Sequence, residues 1–211
     1  MRQLLAAIAI VACAGAAWAQ DQPQVSSEPL TVEQQTIYRN FFSSYSNGSG
    51  TTANVADTTM RFEPQDMDRQ GCLKKLNLEP DPEKVHKLTP AVLPGHGFVL
   101  VDTEAGRAKV RANDPETSIG QGKKIEDAVR QAFAAGLLSV SEIVFSQDHH
   151  YAAFQYDFSC GRLCGNGALA IYRNDGGTWK AVQDTGCSRW IAQGASVLPP
   201  RDGSVPGAPS L

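Results

Sequence analysis

The stretch 151–160 constrains this chain more than any other segment. Ala152, Phe154, Tyr156, Phe158 and Cys160 alternate with Ala153, Gln155, Asp157 and Ser159. A period of two with one apolar side specifies an antiparallel strand that buries one face. On that pattern Gln155 and Asp157 lie on the exposed face. Strand-like runs also cover 140–146, 168–173 and 178–184, with turn signals at 147–150, 161–167 and 174–177. The expected class is therefore α+β: an antiparallel β-meander of about four strands over 140–184, covered by one or two helices.

Two helices are legible. Thr31 and Gln34 fit a capping box, in which each side chain satisfies a free amide at the helix start. Ile37, Tyr38, Phe41 and Tyr45 follow at helical spacing, predicting a helix over about 32–45. Lys123 to Ala135 carries Ile125, Ala128, Val129, Ala132 and Phe133 on one face, with Gly136 at the position of a C-terminal cap. This second helix is expected to cover the meander's apolar face. Between them 51–97 is weakly patterned and punctuated by Pro80, Pro82, Pro90 and Pro94. Val55 to Phe62 and 98–102 are candidate strands, and 108–112 a weaker one. The expected organisation is a single domain over 31–194, preceded by a polar linker at 20–30. A Pro-, Gly- and Ser-rich tail at 195–211 is expected to be disordered.

The first residues read as an export signal. Met1 and Arg2 precede an apolar run from Leu4 to Ala17, and Ala17-Trp18-Ala19 is a cleavage site of the A-x-A kind. The expected mature start is Gln20, in the periplasm or medium. The run falls short of the roughly 20 apolar residues of a membrane span, so no stable membrane insertion is expected. Ile10-Val-Ala-Cys13 loosely fits a lipidation box and is the rival reading. Loss of residues 1–19 removes one positive charge and no acid, taking the net charge from −3 to −4. That acidity argues against nucleic acid, which calls for a clustered basic face. Cys72, Cys160, Cys164 and Cys187 remain, an even number that suits two disulfides in an oxidising compartment. Three pairings are open. Pairing 173 with 178 would carry the register to Cys164 opposite Cys187, leaving Cys72 for Cys160.

Phe158-Ser-Cys160-Gly-Arg-Leu-Cys164-Gly-Asn-Gly167, a strand, then Gly177-Thr-Trp179-Lys180 and Val182 resemble a pattern of secreted bacterial proteins of unassigned function. That pattern is a strand, CGxLCGxG, a strand and GxWxV. The likeness covers about 139–184. It implies export, a sheet architecture and a close Cys160–Cys164 bridge, which leaves Cys72 for Cys187. It implies no substrate.

Other motifs do not assemble into chemistry. Gly165-Asn-Gly167-Ala-Leu-Ala170 satisfies G-x-G-x-x-A, but a strand rather than a helix is expected next, so a dinucleotide site is not. A strand over 151–160 would hold Cys160 or Cys164 roughly 30 Å from His149 and His150, against the ~3 Å a thiol–imidazole pair needs. Asp148, His149 and His150 at a hairpin tip, with Asp175 at the same end of the sheet, are the one candidate metal cluster. Adjacent histidines on a strand diverge, and a solvated turn is the expectation. Glu142, Asp157 and Asp184 are scattered carboxylates. No catalytic set, cofactor or metal is therefore expected. The expected role is a non-catalytic binding or accessory module for a protein or envelope component. The alternative is a hydrolase of envelope polymer or peptide, working through carboxylates that folding brings together.

Overall fold

The computed structural model describes residues 23–45, 52–63, 71–78, 84–182 and 189–191. The expectations for residues 1–19, Cys13, Gln20, Asp184, Cys187 and the 195–211 tail lie outside the described residues, as do those for the side chain of Cys72.

In chain order the elements are β1 (Gln24–Val25), α1 (Val32–Ser44), β2 (Ala53–Ala56), α2 (Cys72–Lys75), β3 (Lys84–Val85) and β4 (Phe98–Val101). Three helices follow, α3 (Thr103–Ala112), α4 (Pro115–Gly120) and α5 (Ile125–Ala135). The rest is strand: β5 (Leu137–Val140), β6 (Val144–Phe145), β7 (Tyr151–Gly161), β8 (Cys164–Asp175), β9 (Thr178–Ala181) and β10 (Arg189–Ile191).

The class is α+β, but the sheet is mixed rather than a simple antiparallel meander. Its order is β10-β8-β7-β5-β2-β4, with β6 on β7 and β9 on β8. β5, β7, β8 and β9 are antiparallel in sequence order, as the alternation requires. β2 then joins β5 in parallel and β4 joins β2 in parallel. The chain returns from β4 to β5 through three helices, the crossover that a parallel arrangement needs. The 108–112 run, read as a weak strand, belongs to α3. Asp102 caps that helix by accepting from the Ala105 N–H at 2.8 Å.

α1 forms as its capping box dictates: Thr31 accepts from Gln34 N–H at 3.2 Å, and Gln34 accepts from Thr31 N–H at 2.9 Å. Its buried side supplies Ile37, Tyr38, Phe41 and Phe42 to the main core. Tyr38 and Phe41 meet Phe154 edge-on, at 5.2 and 5.1 Å between centroids, and Phe41 reaches Tyr156 at 5.0 Å. Such contacts add to area burial by about 1 kcal/mol each. α1 is thus the main cover of the alternating strand. The helix expected there, α5, meets it only towards Phe158, through Phe133 at 5.8 Å. The segment read as linker is partly built in: Gln24–Val25 pair with Lys84–Val85, and Leu30 is buried in the main core.

The turn expected over 161–167 is only two residues long, Arg162 and Leu163, and Gly165 and Gly167 are strand residues opposite Ser159 and Asp157. Gly161 takes a positive backbone angle (φ 147°), and a Cβ there would run into Pro115. Asp114 accepts from Arg162 N–H at 2.6 Å and fixes α4 against this hairpin. Residues 168–173 are strand antiparallel to β7, with no helix behind the glycines to receive a pyrophosphate.

Candidate functional site

The carboxyl ends of β2 and β4 lie side by side, and Asp57 and Asp102 follow them directly. Chain ends of this kind are where sheets containing parallel strands hold ligands. A cleft of about 620 Å³ opens there. One wall is the segment after β2, from Asp57 to Glu63. A second is β1 and β3, through Pro23, Val25, Val85 and Lys87. The third is the start of α3, through Asp102, Thr103, Glu104 and Arg107, and Gln155 of β7 completes the lining.

Asp57 joins the walls. Its Oδ1 accepts from the Thr103 N–H at 3.2 Å, the Thr103 hydroxyl at 2.9 Å and the Thr58 hydroxyl at 3.0 Å. Its Oδ2 accepts from Lys87 Nζ at 3.2 Å. Burial alone would raise its pKa. The hydrogen bonds from Thr103, Thr58 and Lys87 and the charge of Lys87 outweigh that and hold it below the ordinary value. Asp57 is therefore ionised and its lone pairs are engaged. On α3, Arg107 and Glu104 pair at 2.8 Å on the exposed side.

Behind the cleft lies a buried carboxylate. Glu142, expected among scattered surface acids, is 1% exposed. Its Oε1 accepts from the His86 N–H at 2.8 Å and from the Thr59 hydroxyl, and lies 2.9 Å from His86 Nδ1. The backbone of 58–60 runs between two neighbours here. Thr58 bridges to Lys87 and Met60 to Ser141. Glu142 thus fastens two walls of the cleft from the inside, Thr59 on one and β3 through His86 on the other. His86 points into this cluster and does not line the cleft.

The exposed placing of Gln155 and Asp157 is also corrected. Gln155 is 8% exposed, accepts from Glu63 N–H at 2.9 Å and faces the cleft. Asp157 Oδ1 is buried without a hydrogen-bond partner, and burial pushes its pKa up to about 6. Their face of the strand is covered by chain far away in sequence: Phe62 and Leu78 pack on Ala153, the next residue on that side. No local period reports such a cover.

The structure does not gather the candidate metal residues. His149 stacks on Phe145 at 5.2 Å and lies 3.8 Å from Glu33. His150 pairs with Asp148 at 3.2 Å. Asp175 shares the end of the sheet but is held by Arg173 at 2.8 Å and Lys180 at 3.3 Å. Among the described residues no group of three or more His, Cys, Asp or Glu converges on one point. Cys160 and Cys164 are joined as a disulfide with Cα atoms 5.0 Å apart, within bridging range. Among the described residues no helix is long and apolar enough to cross a membrane.

No protein-family model matches this chain, and no significant match exists among the curated proteins or the solved structures.

Proposed function

We propose that the chain is an exported binding module and that the cleft at the ends of β2 and β4 is its ligand site. The observation that carries this reading is the chemistry of the lining. Among the described lining residues there is no His, Cys, Ser or Tyr, so a nucleophile with an imidazole base is missing from the set. Of the four lining acids, Asp57 is held ionised by four donors, Asp102 is engaged as the cap of α3 and Glu104 is paired with Arg107. Asp157, whose pKa is raised, is not among the lining residues. What remains is a preorganised polar cleft with an apolar wall, which is the make-up of a recognition site. Export rests on the leader pattern, on the resemblance to secreted proteins and on the disulfide.

Titration of the ¹⁵N-labelled protein with acetyl-trialanine, with mass spectrometry of the peptide afterwards, tests this. Saturable shifts confined to the lining residues and an intact peptide are expected. Hydrolysed peptide whose formation stops on substitution of a lining residue would replace the binding module by the hydrolase.

A further inference from the structure

We infer that two copies of this chain associate about a two-fold axis through Val99, by pairing their β4 strands edge to edge. β4 ends the sheet, and among the described residues only β2 pairs with it. The Ala53 N–H donates to the Gly97 carbonyl and the Asp57 N–H to the Val101 carbonyl, both at 2.9 Å. In a parallel ladder this phase turns the backbone of Gly97, Val99 and Val101 towards β2. The N–H and C=O groups of Phe98 and Leu100 therefore point out of the sheet. Among the described residues none of these four groups has a partner. Natural edges are blunted by charge, proline or a bulge. Phe98-Val-Leu-Val101 carries none of these.

The strand specifies the register of its own copy. Gly97 has a left-handed backbone (φ 84°), which ends the extended run on one side. The Asp102 carbonyl accepts from the Gly106 N–H at 2.8 Å, which commits it to α3 and ends the run on the other. Only Phe98 and Leu100 face outward between these limits. An antiparallel copy centred on Val99 sets Phe98 opposite Leu100 of the second copy, and Leu100 opposite its Phe98. Both are then hydrogen-bonded pairs that exchange two bonds each, and no outward group of either strand is left over. A centre on Phe98 or Leu100 would have to recruit His96 or Asp102, beyond those limits.

The side chains agree with that axis. Val99 is 44% exposed, and the axis places it in a non-hydrogen-bonded pair with its own copy. Cα atoms in such a pair are about 4.5 Å apart and their side chains are closest, so each Val99 covers the other. On the opposite face Phe98 and Leu100 pack on the main core, Phe98 against Phe42 at 5.4 Å, so the edge is rigid before it pairs. The antiparallel direction brings the exposed His96 end of each copy beside the exposed Asp102 end of the other, so acid does not meet acid. A foreign strand would gain the same hydrogen bonds without this self-match. Two-fold pairing also uses up both edges, so association stops at two. Four residues a side make a small interface, in the class of weak dimers.

Sedimentation velocity of the processed full chain, from about 10 μM to about 1 mM, reads the association. A monomer–dimer equilibrium is expected within that range. Val99→Lys sets two ammonium groups face to face and should weaken the dimer at least about tenfold. Val99→Cys should crosslink to its own copy under mild oxidation, because the two Cα atoms fall within bridging range. Val101→Cys should not, since in this register its copies lie about 13 Å apart. Mass spectrometry of the non-reduced peptides reads both, and the crosslink decides the matter if Val99→Lys does not fold. Protein that stays monomeric to about 1 mM would overturn the inference. So would a dimer that crosslinks at 101 as readily as at 99, a dimer that Val99→Lys leaves intact, or assembly beyond two copies.

Discussion

Asp57, one residue past the end of β2, accepts both the backbone N–H and the hydroxyl of Thr103, the first residue of α3, at 3.2 and 2.9 Å. One carboxylate therefore sets the angle at which α3 leaves β4 and the width of the cleft beside it. Asp57→Ala is expected to destabilise the fold by about 1 kcal/mol, the scale of hydrogen bonds between part-buried groups. Because its folded pKa is lowered, this contribution is present at neutral pH and is lost as pH falls below about 4. Urea unfolding at pH 7 and pH 3 checks both parts. An equal loss at the two pH values would contradict the account.

Asp157 predicts the opposite sign. Burial raises its folded pKa to about 6, so the folded state holds the proton more tightly than the unfolded chain does. Stability is then fully present below about pH 4 and declines as pH rises to about 6, by at most about 3 kcal/mol. Asp157→Asn should remove this slope and raise Tm at pH 7.5. A variant with an unchanged pH profile would show that Asp157 titrates normally.

Glu142 is the acceptor on which Thr59 and two nitrogens of His86 converge. Glu142→Ala removes the shared buried acceptor, while the His86 N–H and the Thr59 hydroxyl keep each other as partners, and should cost about 1–3 kcal/mol. Glu142→Gln keeps one acceptor oxygen and should cost less. If the clasp positions the cleft, Glu142→Gln will also weaken peptide binding while the protein remains folded. A folded variant with unchanged affinity would reduce Glu142 to a stabilising residue alone.

Cys160 and Cys164 are 1% and 8% exposed. External thiols should therefore leave their bridge intact until the protein unfolds. The short loop it closes predicts a loss of about 2 kcal/mol when both are replaced by Ala, on the chain-entropy model. Peptide mapping after dithiothreitol, with and without urea, separates protected from accessible bridges. Reduction of Cys160–Cys164 in the native protein would show an opening of the β7–β8 hairpin.

What the sequence made legible was local. The capping box of Thr31 and Gln34, the alternation of β7 and the turn before β9 each involve residues a few positions apart, and each forms where expected. The parallel pairing of β2 with β4 and β5 was not legible. Ala53–Ala56 is four residues long, and its partners are tens of residues away. α3 was hidden for a related reason: Val110 and its neighbours alternate briefly, and the signal that settles the helix is Asp102 at its start. The cleft shared this fate. Asp57, Gln155 and Arg107 come from three separate stretches, and Gln155 looked exposed because the chain that covers its face begins almost a hundred residues earlier.

The central claim is that the cleft beside Asp57 is where this protein meets its ligand. A crystal structure grown with saturating acetyl-trialanine tests it most directly. The account predicts peptide density between the wall of β1 and β3 and the start of α3. An empty cleft at saturation, or peptide bound on another face, would contradict it.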